Sequence, residues 1–151
     1  METTKNGPRL FSLAEAQRML PLVRSIVRDI VDRYALFKER VELYRLGQEA
    51  RKEGLPLPGG FVREKLKSEI ESRKDEVMAV VAELTELGPE LRDYEEGTVD
   101  FPARLGGDIV YLSWKLGEEK IGYWRPLDGA DSPRRALEEI PEGAGGGGSV
   151  V

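Results

Sequence analysis

The sequence predicts an α+β protein: a long antiparallel helical hairpin, coiled-coil-like, with a small antiparallel sheet of two or three strands packed at its base. Three observations carry that expectation. Apolar residues from Val23 to Tyr44 recur at intervals of four and three, and a second series from Leu66 to Leu91 does the same. Beyond Gly97 the apolar period shortens to two, the period of strands. The chain has 151 residues, a length that suits one modest domain. The expected organisation is a flexible lead-in over residues 1–10, a single domain over 11–140 and a Gly-rich disordered tail over 141–151. Within the domain, 11–91 is the hairpin, 98–125 the sheet and 126–140 a loop with a short helix.

Each element has a local cause. Ser12 and Glu15 form the pattern of a capping box, in which each side chain bonds the other residue's amide and opens a helix. Pro21 must then kink that helix or start a fresh one at its first turn. The first seam is Val23, Val27, Ile30, Tyr34, Phe37, Val41 and Tyr44, widened at its start by Ile26 and Val31. Gly54, Pro56, Pro58, Gly59 and Gly60 end the helix in a loop. The return seam is Leu66, Ile70, Arg73, Val77, Val80, Leu84, Leu87 and Leu91, interrupted only by Arg73. That arginine lies at a solvated edge, pairs with an acid of the opposite helix, or fixes register. Helices over 21–46 and 61–87 would each span about 40 Å, so they match in length. Gly88-Pro89 is a stop signal.

After an acidic connector over 93–97, residues 109–115 read as a strand, 117–120 as a turn and 121–124 as its partner, with 98–101 as a third, edge strand. Leu105-Gly106-Gly107-Asp108 reads as the turn into the main strand. Val110, Leu112 and Trp114 share one face and are expected to cover the apolar base of the hairpin. Asp131-Ser132-Pro133 can cap a short helix over 134–140.

Composition excludes much chemistry. With no His and no Cys, the chain alone cannot build a thiolate nucleophile, a Ser-His-Asp triad, a disulfide or a Cys- or His-ligated metal site. Asp100, Glu118 and Asp128 are the candidates for an oxygen-ligated cation or for an acid and base pair, but they lack EF-hand spacing and read equally as turn formers. No cofactor, metal site or catalytic residue is expected. Net charge is −5, from 23 Lys plus Arg against 28 Asp plus Glu, which disfavours nucleic acid as a partner. No apolar stretch is long enough to span a membrane, and the polar start points to a cytoplasmic protein.

The candidate binding cluster is Trp114, Lys115, Glu118, Trp124, Arg125, Asp128 and Arg134, which two strands and the following loop can bring onto one surface. The competing reading puts both tryptophans in the core and the charges on a solvated rim.

Phe11-Ser12-Leu13-Ala14-Glu15-Ala16, Leu20-Pro21-Leu22-Val23, Val99-Asp100-Phe101-Pro102-Ala103 and the run from Val110 to Glu118 resemble a widespread prokaryotic family known only as a domain of unknown function. The resemblance covers about residues 11–137. It implies a shared fold and no activity, since the family has none assigned. The family continues W-H-x-x-D-x-G-F-x-x-R; here Trp124, Asp128 and Arg134 match, while Arg125 stands at the histidine, Ala130-Asp131 at Gly-Phe and Ser113 at a usual cysteine.

The expected function is therefore that of a non-catalytic, self-associating interaction module, a homodimer that presents the Trp-Arg-Asp surface to a further protein. One alternative is a small-anion or magnesium-dependent ligand-binding protein or enzyme with a pocket at the sheet and helix junction. Another is an RNA-binding helical arm, since residues 17–52 carry nine basic against five acidic side chains.

Overall fold

The capping box forms as the sequence indicates: Ser12 Oγ accepts from the Glu15 amide at 3.1 Å and Glu15 Oε1 from the Ser12 amide at 3.0 Å. From it runs α1, Leu13–Lys52, and after a loop α2, Arg63–Leu87, returns against it. The computed structural model describes residues 9–128 and 132–139. Residues 1–8 of the lead-in expected over 1–10 and the Gly-rich tail over 141–151 lie outside them.

Five strands follow: β1, Glu90–Asp93; β2, Thr98–Leu105; β3, Asp108–Lys115; β4, Tyr123–Pro126; and β5, Arg135–Ala136. They form one antiparallel meander in the order β1-β2-β3-β4-β5. The architecture is α+β, as predicted, with a larger sheet than the two or three strands expected. The 98–101 segment is the first half of an interior strand, because Glu90–Asp93, counted in the helical seam through Leu91, pairs with it as the true edge. The 134–140 helix is replaced by β5 and a single 3-10 turn, Leu137–Glu139. Pairing with β4 satisfies the backbone of Arg135 and Ala136 better than one isolated helical turn would.

One further expectation changes in the helices. α1 continues through Pro21, and its 40 residues span about 60 Å against about 38 Å for the 25 of α2, so the pair is unequal. Arg73 lies at a solvated edge, the first of the places the sequence allows it, with Glu76 of its own helix at 4.0 Å. The cross-helix pairs are Arg33 with Glu76 at 3.2 Å and Arg40 with Glu69 at 3.5 Å.

The core lies between the sheet and the first half of α1. Val99, Phe101 and Ala103 of β2 and Leu112 and Trp114 of β3 meet Leu20, Val23, Val27 and Ile30 of α1 and Leu84 of α2. Phe11 is the keystone of the base. Its backbone bridges β2 on the edge that short β1 leaves open, accepting from Arg104 at 2.9 Å and donating to Pro102 at 2.8 Å, while its ring packs edge-on against Phe101. Gly88, at φ +117°, turns α2 into β1 directly beneath that ring; a Cβ there would sit 2.9 Å from it. No helix among the described residues is long and apolar enough to cross a membrane.

Gly88→Ala should therefore destabilise the protein by about 2 kcal/mol or more, from backbone strain plus the clash, read as a lower urea midpoint at unchanged m. On α1, the Arg45 hydrogen bond holds the exposed Glu42 carboxyl below its usual range. The folded-state value is the depressed one, so this bond contributes above the ordinary carboxyl pKa and is lost as pH falls through the lowered value. Arg45→Ala should return Glu42 to the ordinary range in a carbon-13 NMR titration.

Candidate functional site

Because alternate strand residues point to opposite faces, the positions between the core-facing ones build a second surface on the far side of the sheet. The register aligns Glu90, Asp100, Ser113, Tyr123 and Ala136 in one row across all five strands, with Pro102, Tyr111 and Arg125 in the next. Asp100 is fully buried in the middle of this face, in a strand whose other side is wholly apolar.

A buried carboxylate requires partners. Arg92 supplies one: the register of β1 shifts between Leu91 and Asp93, and this bulge re-aims Arg92 so that its Nε donates to Asp100 Oδ2 at 2.6 Å. Arg92 also reaches Glu90 at 3.2 Å. Arg125, itself buried, donates to the same Asp100 oxygen from β4. The Tyr111 ring takes both guanidiniums against its π system, at 5.0 Å for Arg92 and 5.6 Å for Arg125. The hydrogen bond from Arg92 to Asp100 pushes the arginine's pKa up from its ordinary value, against the opposing effect of burial. Asp100 Oδ1 and the buried Ser113 Oγ have no hydrogen-bond partner among the described residues.

A second clamp closes the β3–β4 connection. Glu118 Oε1 accepts from the Lys115 amide at 3.0 Å and from Arg134 Nη2 at 2.6 Å, and its carbonyl takes the Trp114 indole N–H at 2.9 Å. Arg134 stacks 4.1 Å from the centroid of the Tyr123 ring. Gln17 of α1 ties this connection down, exchanging two hydrogen bonds with the Ile121 backbone.

The seven cluster residues are thus divided among three places and do not share one surface. Trp114, Lys115, Glu118 and Arg134 are joined by the turn clamp, with the Trp114 ring fully buried in the core because its strand parity faces the helices. Arg125 belongs to the Asp100 cluster. Trp124, on the helix-facing side, and exposed Asp128 line a groove at the end of the sheet, and Arg135 stacks on the Trp124 indole. Asp100, Glu118 and Asp128 are likewise apart, and no group of three His, Cys, Asp or Glu among the described residues is placed to hold a metal. Sequence reasoning missed Arg92, Tyr111 and Tyr123. The available signal was parity: an aspartate flanked by Val99 and Phe101 on an interior strand demands cationic partners from its neighbours.

Chemically, Arg92, Arg125 and Arg134 each face a carboxylate, which leaves this surface a network of paired charges on aromatic supports. Ser113 is buried with no base among the described residues bonded to its hydroxyl. Ser113 and Arg125 lie on this one face beside Asp100. Removing the shared carboxylate charge strands two guanidiniums, so Asp100→Asn should cost about 3 kcal/mol or more in urea unfolding. Glu90→Gln, at the solvated edge, should cost less than about 0.5 kcal/mol. Equal losses for the two variants would contradict the role assigned to Asp100.

Residues 9–137 match a family model described as Uncharacterized conserved protein (DUF2203). No curated protein and no solved structure matches the chain. With the match covering all but the two ends, the chain belongs to the DUF2203 family of uncharacterised conserved proteins.

Proposed function

We propose that this protein is a non-catalytic, self-associating interaction module whose helical hairpin is the self-association element. The carrying observation is where burial stops. In α1 no residue between Ile30 and Gly47 is buried, and in α2 only Leu66 is buried before Val77. Along this stretch Leu36, Val41 and Leu46 remain 42%, 39% and 43% exposed. Two helices alone cover each other's seam from one side, whereas a second hairpin would cover it from the other, as in a four-helix bundle.

The charges favour this reading over an RNA-binding arm. Arg33, Lys38, Arg40 and Arg45 are each ion-paired, to Asp29 and Glu76, Glu95, Glu69 and Glu42 respectively. The pairing of Arg92, Arg125 and Arg134 with acids likewise disfavours an anion pocket on the sheet. The outer sheet face, rigid and carrying stacked aromatics and arginines, is the surface left for a further protein partner.

Light scattering coupled to gel filtration should give twice the chain mass at tens of micromolar. Leu36→Glu with Val41→Glu alters residues that are already exposed in the protomer. The pair should therefore leave the helical circular dichroism intact while giving the monomer mass. A wild-type monomer at that concentration would overturn the proposal.

A further inference from the structure

We infer that the self-association is antiparallel, with the hairpin tip of each protomer docked into the groove at the sheet end of the other. The inference rests on the self-association proposed above. The occupant is a second copy of this chain, and the contacting segment is Leu55-Pro56-Leu57-Pro58.

The groove has a volume of about 550 Å³. Trp124, Val110 and Pro126 line it together with the exposed Ile109 and Leu127, and Asp108 and Asp128 stand on its rim. The groove therefore offers apolar surface, an aromatic ring and negative charge.

The tip has the complementary chemistry. Residues 55–58 run without helix or strand, held at the ends by Leu55 N–H to Ala50 O at 2.8 Å and Phe61 N–H to Pro58 O at 3.2 Å. Phe61 is in turn seated on Gly47, where any Cβ would overlap its ring. The prolines restrict φ and bias the leucines before them to extended backbone, so little conformational entropy remains to be lost on docking. They also lack N–H groups, so the carbonyls predominate, as in proline-rich ligands of aromatic grooves. Leu55 and Leu57 are 55% and 45% exposed. Around them, residues 45–67 carry six basic side chains, including Arg51 and Lys52, against three acids, in a chain of net charge −5. A basic, apolar tip meets an acidic, apolar groove.

The lengths agree with this arrangement. A twofold axis level with Tyr34 sets exposed Leu22 of one protomer against exposed Leu46 of the other, and carries the tip to about the level of Phe11. Phe11 bridges Ala103, next to the β2–β3 turn that leads into Asp108.

The chain has no cysteine, so cross-linking is site-specific. The full-length Leu57→Cys/Ile109→Cys double variant, treated with a short bismaleimide, should run as a covalent dimer. Within one protomer α1, about 60 Å long, separates the two sites. Neither single variant should cross-link. Asp108→Lys with Asp128→Lys should weaken dimerisation about tenfold, and Arg51→Glu with Lys52→Glu in the same chain should restore it. A dimer by light scattering that cross-links through Leu57→Cys alone, or that the double variant fails to cross-link, would overturn the tip-to-groove arrangement while leaving self-association standing. A monomer would overturn both.

Discussion

Burial on α1 ends at Ile30, save for Gly47 at the tip, and the rest of the architecture follows from that limit. The sheet can cover only the first half of the helix, because β2 and β3 run for eight residues each while α1 runs for 40. Over that half, Trp114, Leu112 and Phe101 give the helical pair a third layer and a continuous core. Past it only the β1–β2 turn still reaches α1, through Tyr94 on Tyr34 and Glu95 on Lys38, and farther out the two helices and their connecting loop have only each other among the described residues. Exposed apolar residues on the outer half are therefore a consequence of the length mismatch.

The base must be rigid for such an arm to point in one direction. Phe11 secures it from the N-terminal side, joining the start of α1 to β2 through two backbone hydrogen bonds. Gly88 secures it from the other, since only a residue without a side chain turns α2 into β1 under the Phe11 ring. Gly97 does the same between β1 and β2: at φ +78° it lies against Val27 with no room for a Cβ. Gln17 fastens the β3–β4 connection to α1. Together these contacts fix the sheet's outer face relative to the arm.

That outer face is unusual for the charge it keeps out of water. A buried carboxylate with two guanidiniums contributes little net stability compared with apolar packing, but it imposes a single geometry, because any displacement leaves charge unpaired. Asp100 thereby links β1, β2 and β4 side chains across the sheet, and Glu118 with Arg134 continues the ordering to the segment leading into β5.

The helices, their cap, their break at the Gly- and Pro-rich loop and the core face of β3 were legible in the sequence, because each is written in local periodicity or in one residue's conformational limits. Exclusions were legible too, since missing residue types cannot be supplied by folding. Tertiary structure alone decided the rest. Leu91 fits a helical seam as well as a strand, and only pairing with Val99 settles its place. Trp114 and Arg125 are in neighbouring strands yet belong to opposite faces, a matter of register that composition does not record. The Asp100 cluster draws Arg92, Tyr111 and Arg125 from three strands, so its existence depends on strand order and on one bulge, both of which arise from long-range backbone pairing rather than from any local pattern.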